Sequence, residues 1–147
     1  MFKTILVASD FSEPSKTAVA CARELARTFD ATLHLVHVVT DPSALPWTAE
    51  AFAMALSDVA SDWQEKARHD LMLSVPAEER AGVTIATPVG TPAKQIIQYA
   101  ENHHVDLIVM GTHGRGALEH FVLGSVAERV VRKAPCAVLT VRHPATA

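Results

Sequence analysis

Gly111, Gly114 and Gly124 stand at fixed offsets between an apolar run, Val105–Met110, and a helical run, Val126–Lys133; Ser125 follows the last glycine directly. Glycine carries no Cβ, so backbone there can take positive φ and approach a ligand closely. A helix entered at Ser125 presents free N–H groups and the positive end of its dipole. This pattern points to a phosphate-bearing ligand. The bland alternative is a surface loop with turn glycines. Against it, long loops without structure in compact domains usually carry function, and these three positions take half of the chain's 6 glycines. Micromolar affinity requires about 8 kcal/mol, whereas one helix terminus supplies roughly 0.3–2 kcal/mol. Loop amides and burial of an apolar ligand body must add to it, and a nucleotide supplies both phosphates and a base.

The neighbouring side chains each admit two readings. Ser125 and Glu128 make the S-x-x-E capping box; the Ser125 hydroxyl serves either that cap or a phosphate oxygen as well. Asp10 ends a strand pattern. It is either a turn and cap residue for the helix beginning near Ser12, or a partner for ribose hydroxyls or, indirectly, a metal. Arg115 in the glycine loop is either a phosphate contact or a solvated charge, and His113 lies beside it. Trp47 and Trp63 read as packing residues, with Trp47 also placed to cover a crevice. The 8 histidines show no metal-ligand spacing, and His34 and His37 fall on opposite faces of a strand. Both cysteines, Cys21 and Cys136, read as buried, reduced residues, and no structural zinc site is expected.

Other signatures are missing. No G-x-x-x-x-G-K-[ST] occurs, nor G-x-G-x-x-G after the first strand, nor a G-x-S-x-G elbow. No base stands beside a nucleophile, so no catalytic residue is assigned. The chain has 147 residues, 49% hydrophobic, with a formal charge of -3; the expectation is one domain over 1–147 with a real core. This balance argues against a general nucleic-acid binder. No apolar run approaches the ~20 residues of a bilayer crossing, and no signal peptide is apparent. A cytoplasmic protein is expected.

The elements that must position these residues alternate. Strand patterns cover Phe2–Ser9, Thr32–Val39, Val83–Val89, Val105–Met110 and Pro135–Arg142. They read as continuous apolar runs, as buried parallel strands do. Helical spacing places Ala18, Ala22, Leu25 and Phe29 on one face, with Ser12 as cap and Pro14 in the first turn. A long helix runs from about Thr48 to Ser74; it must overhang the sheet or bend. A polar connection, Pro76–Gly82, follows. Gly90-Thr91-Pro92 opens a helix with Ile96, Ile97 and Ala100 inward, and Ser125–Ala134 forms the last. The fold class is α/β: a doubly wound, mostly parallel five-stranded sheet with helices on both faces. Ligands of such sheets sit beyond the C-terminal strand ends, at the switch point. Ala8-Ser9-Asp10, His37-Val38-Val39 and Met110-Gly111 are the ends assigned to that crevice.

The chain resembles the universal stress protein family over essentially its whole length, from Lys3-Thr-Ile-Leu-Val-Ala-Ser-Asp10 to Pro135-Cys-Ala-Val-Leu-Thr-Val141. The most specific element is that family's nucleotide motif, G-x2-G-x9-G-[S/T], which reads here Gly111-x2-Gly114-x9-Gly124-Ser125. The resemblance implies strand order 3-2-1-4-5 and adenine-nucleotide binding, ATP first, with Mg²⁺ or Mn²⁺ accompanying the triphosphate. It also implies homodimers paired through the last strand, about Ala137–Val141. It puts phosphates against Gly114, Gly124, Ser125 and Val126, ribose near Met110 and Gly111, Asp10 on the ribose or phosphate side, and Val38 with Ala8 around adenine. Phe11 departs from the pattern, since many members have glycine there; a bulky side chain would narrow the crevice or stack near the ligand. The expected function is a regulatory protein whose nucleotide state biases an unidentified protein partner, with at most weak ATPase activity. The alternatives are a nucleotide-dependent enzyme or a dimeric interaction module that binds no nucleotide.

Overall fold

The computed structural model describes residues 1–42, 49–113 and 123–144. The element order is β1 (Thr4–Ala8), α1 (Glu13–Phe29), β2 (Thr32–Val36), α2 (Ala49–Leu73), a 3₁₀ segment (Ala77–Gly82), β3 (Val83–Ala86), α3 (Pro92–Asn102), β4 (Leu107–Gly111), α4 (Ser125–Lys133) and β5 (Ala137–Val141). The strands form one parallel sheet in the order β3-β2-β1-β4-β5. One row across it runs Val83, Leu33, Ile5, Leu107, Ala137. The α/β class and the strand order agree with the sequence reading.

The continuous apolar strands follow from burial on both faces. Ile5, Leu6 and Val7 of central β1 are fully buried. Ile5, Val7, Leu33, Leu35, Leu107 and Val109 pack under α1 and the C-terminal end of α2. Leu6, Val36, Ile108 and Met110 pack under α3 and α4. Each fully buried Leu or Ile contributes roughly 1.5–3 kcal/mol relative to exposure.

The strands are shorter than the apolar runs. β2 stops at Val36 and β3 at Ala86, after which the His37 N–H still donates to Ala86 O at 3.1 Å and a bridge joins Val39 and Val89. β4 begins at Leu107, not Val105. Val105 is still tied by its N–H to Ala100 O, and Asp106 turns its carboxylate onto the N–H groups of Lys3 and Thr4, at 2.8 and 2.9 Å. β1 correspondingly begins at Thr4. The polar connection Pro76–Gly82 is a 3₁₀ segment, held to α1 by Arg23 against Glu79 at 2.7 Å. α2 spans 25 residues, about 37 Å at the ideal rise, so it overhangs strands of four or five residues as expected. Cys21 and Cys136 are both free, and both are half-buried where full burial was expected. Burial still pushes the Cys136 thiol up from its ordinary value.

Candidate functional site

β1 and β4 are neighbours whose onward connections depart to opposite edges of the sheet, β1 to β2 and β4 to β5. Their C-terminal ends therefore diverge into a switch-point crevice. A cavity of about 570 Å³ lies there, within the range of small-molecule sites. Ala8, Asp10, Val38, Met110, Gly111, Gly124, Ser125 and Val126 all line it, contributed by three strand ends and the start of α4. Gly114, Arg115 and Trp47 lie outside the described residues.

Sequence reasoning missed part of the wall. Ser15 of α1 and Pro92 and Ile96 of α3 also line the cavity. A usable signal existed for the last two: Pro92 and Ile96 share one helix face at the turn directly after β3, where the topology brings a helix start to the strand ends. Ser9 and Ser15 are buried, with their hydroxyls 3.3 Å apart.

Local chemistry decides between several of the paired readings. Gly124, with φ -59 and ψ 156, is the N-cap of α4, and no side chain caps that helix. Ser125 is therefore the first helical residue and the expected capping box does not form: a cap must precede the first helical turn, and Ser125 already lies within it. Ser125 is exposed at the mouth of the crevice. Glu128 does not reach back to the helix start either; its carboxylate pairs with Arg132 at 2.9 Å, one turn along α4. The positive end of the α4 dipole thus faces the cavity with Glu128 held by a cation. Gly124 N–H donates to Thr112 O at 2.7 Å, which ties the start of α4 to the end of β4.

Gly111 is required by packing. A Cβ built there would meet Pro14 Cβ at 2.9 Å and the Pro14 carbonyl carbon at 3.0 Å. Asp10 takes the turn role: its carboxylate accepts from the Ser12 N–H at 3.0 Å and from the Ser12 hydroxyl. Ser12 in turn caps α1, accepting from Ser15 N–H. Asp10 nevertheless lines the cavity, so turn and crevice share the residue.

Phe11 does not narrow the crevice. It sits at φ 65, the left-handed region. Its ring lies 4.6 Å from the His37 ring and packs on the core beneath α1. His37 donates Nδ1–H to Ser9 O at 2.7 Å, because a carbonyl oxygen can only accept. His34, within β2, pairs with Tyr99 of α3, whereas His37 lies beyond the end of that strand. Trp63 is half-buried beside His37, Val39 and Thr40. Among the described residues no group of three or more His, Cys, Asp or Glu side chains is arranged to hold a metal, and no helix is long and apolar enough to cross a membrane.

Comparison with known proteins agrees with this architecture. The profile of the Universal stress protein family matches residues 1–142. The chain is 40% identical to a universal stress protein of Thermus aquaticus, over 97% of this chain and 100% of that one. It is 36% identical to universal stress protein MJ0531 of Methanocaldococcus jannaschii, over 98% and 84% of the two chains. The solved structure of MJ0577 superposes with a TM-score of 0.83 at 27% identity, covering 99% of each chain. Universal stress protein UspA from Lactobacillus plantarum superposes with a TM-score of 0.72 at 26% identity, covering 96% and 98%. Five parallel strands in this order, a switch-point crevice and these likenesses across nearly the whole length lead to one conclusion: the chain belongs to the universal stress protein family.

Proposed function

We propose that the crevice binds an adenine nucleotide, ATP first, and that occupancy biases the contacts of a homodimer with a regulatory protein partner. One observation carries the reading. Eight of the ten residues assigned to the ligand from sequence line a single cavity at the switch point, where the N-terminus of α4 opens. Phosphates lie at Gly124, Ser125 and Val126, with the loop amides of Gly114 and the Arg115 guanidinium completing the cradle. Met110 and Gly111 lie beside the ribose, and Ala8 and Val38 flank the base, with Pro92 and Ile96 adding apolar wall. Mg²⁺ or Mn²⁺ enters with the triphosphate. Asp10 is the carboxylate on that side, with Oδ1 accepting from the Ser12 N–H. A universal stress protein of 23% identity has been solved in complex with cAMP; at that distance the likeness bears on the fold, and it makes cyclic AMP a ligand to compare.

The whole of residues 1–147 acts as one nucleotide-binding domain in this reading, in the cytoplasm, with at most weak ATPase activity. The dimer forms through β5, an edge strand that leaves Leu139 37% exposed.

The test is calorimetric titration with ATP, AMP and cyclic AMP, with and without Mg²⁺, joined to mass spectrometry of any nucleotide released from the purified protein. Saturable ATP binding near micromolar strength is expected. Silence with all three, and no copurifying nucleotide, overturns the reading in favour of a plain interaction module. Single-turnover phosphate release should stay below about one per minute, far under ordinary enzymes. Light scattering should return a dimer mass, and Leu139→Asp should shift it toward monomer.

A further inference from the structure

Outside the crevice, three side chains form a connected cluster between β2 and α3. His34 Nδ1 lies 2.8 Å from the Tyr99 hydroxyl. The Tyr99 ring stacks on His103 at 3.8 Å and 17°, and the His34 and His103 rings lie 5.6 Å apart. His103 is the C-cap residue of α3, and its Nδ1–H donates to Tyr99 O at 2.9 Å. Among the described residues, the titratable groups recorded against His34 are Tyr99 of α3 and His103 at its C-cap. Its neighbours in the sheet, Leu6 of β1 and Thr84 of β3, carry no charge.

We propose that His34, Tyr99 and His103 form an acid-sensitive latch that seats α3 on the sheet and, through Pro92 and Ile96 in the same helix, ties the shape of the crevice to proton concentration. Ile96 stands one turn before Tyr99, and both Pro92 and Ile96 line the cavity. α3 has 11 residues, short enough to move as a rigid rod. A proton on His34 places charge in a half-buried site beside a second imidazole. Burial first, then the nearness of His103, hold His34 below its ordinary value of 6.5. The folded protein therefore binds fewer protons here than the unfolded chain. Stability contributed by neutral His34 is present above that value and is lost progressively below it. The link to the crevice rests on the nucleotide reading above; the latch does not.

The experiment compares the full chain with His34→Gln, which keeps a hydrogen-bonding side chain but does not titrate, and with His103→Gln. Without ligand, the wild-type Tm should fall between pH 7.5 and 5.5 by about 3 °C more than that of His34→Gln, with His103→Gln in between. Parallel slopes for wild type and His34→Gln overturn the latch whatever the crevice binds. If His34→Gln proves too unstable to melt cleanly, hydrogen exchange of the wild-type α3 amides decides: opening that rises on acidification more than in α1, after correction for intrinsic rates, supports it, and equal rises overturn it. In the second arm, ATP affinity should drop over the same range about threefold more in wild type than in His34→Gln. Equal drops remove the link to the crevice. No ATP binding at any pH fails the nucleotide reading and leaves the stability arm to decide the latch.

Discussion

The Phe11 ring lies against the His37 imidazole with centroids 4.6 Å apart and planes inclined at 36°. The contact forms although Phe11 occupies left-handed backbone, φ 65, which costs a residue bearing a Cβ about 1–2 kcal/mol. Two effects therefore compete at one position. Phe11→Ala removes the half-buried ring and keeps the strain, at a cost of about 2 kcal/mol. Phe11→Gly removes ring and strain together, at a net cost of about 1 kcal/mol. Urea denaturation checks the order; an alanine variant more stable than the glycine variant would contradict it.

At Gly111 the substitution to alanine should destabilise by about 1–3 kcal/mol. The added Cβ meets Pro14, including its backbone carbon at 3.0 Å, so α1 must shift against β4. The expected readout is a lowered urea midpoint with an unchanged m-value.

Gly124→Val should separate binding from folding. Backbone at φ -59 and ψ 156 is open to any residue, so the fold survives. The Cβ branches sit at the cap of α4, where the proposed phosphates lie. ATP affinity should fall at least about tenfold, a loss of about 1.4 kcal/mol, with near-native circular dichroism. Unchanged affinity in a folded Gly124→Val protein would remove the phosphate assignment.

Asp106 accepts from the backbone N–H groups of Lys3 and Thr4, and these bonds hold its carboxyl below the ordinary carboxylate value. A depressed carboxylate contributes stability above the ordinary value of 3.8, and that contribution disappears as pH falls through the folded value. Asp106→Asn should cost about 1 kcal/mol at pH 7, less than a buried charged bond because water reaches the group. The difference from wild type should start to shrink as pH falls below 3.8. A constant difference from pH 7 to pH 3 would show that charge plays no part.

Much of this protein was written locally. Apolar runs without polar alternation marked buried parallel strands, and Ser12 with Pro14 marked the start of α1. The spacing of Gly111, Gly114 and Gly124 marked the family and the region of the crevice, because strand, turn and helix signals depend on neighbours along the chain. Residues such as Ala8 and Val38, assigned through the resemblance, do line the cavity. What the chain alone left open depended on contacts across space. Strand ends were set by pairing across the sheet, so β2 stopped at Val36 while its apolar run continued to Val39. Ser125 and Glu128 matched a capping box, yet the helix began one residue earlier than that box requires, and Arg132 took the glutamate. Pro92 and Ile96 entered the crevice wall only because the crossover lays α3 across the strand ends. The turn of Phe11 onto His37, and the meeting of His34 with Tyr99 and His103, join residues far apart in sequence. No local pattern encodes such pairs, because they exist only once packing has brought separate elements within van der Waals reach.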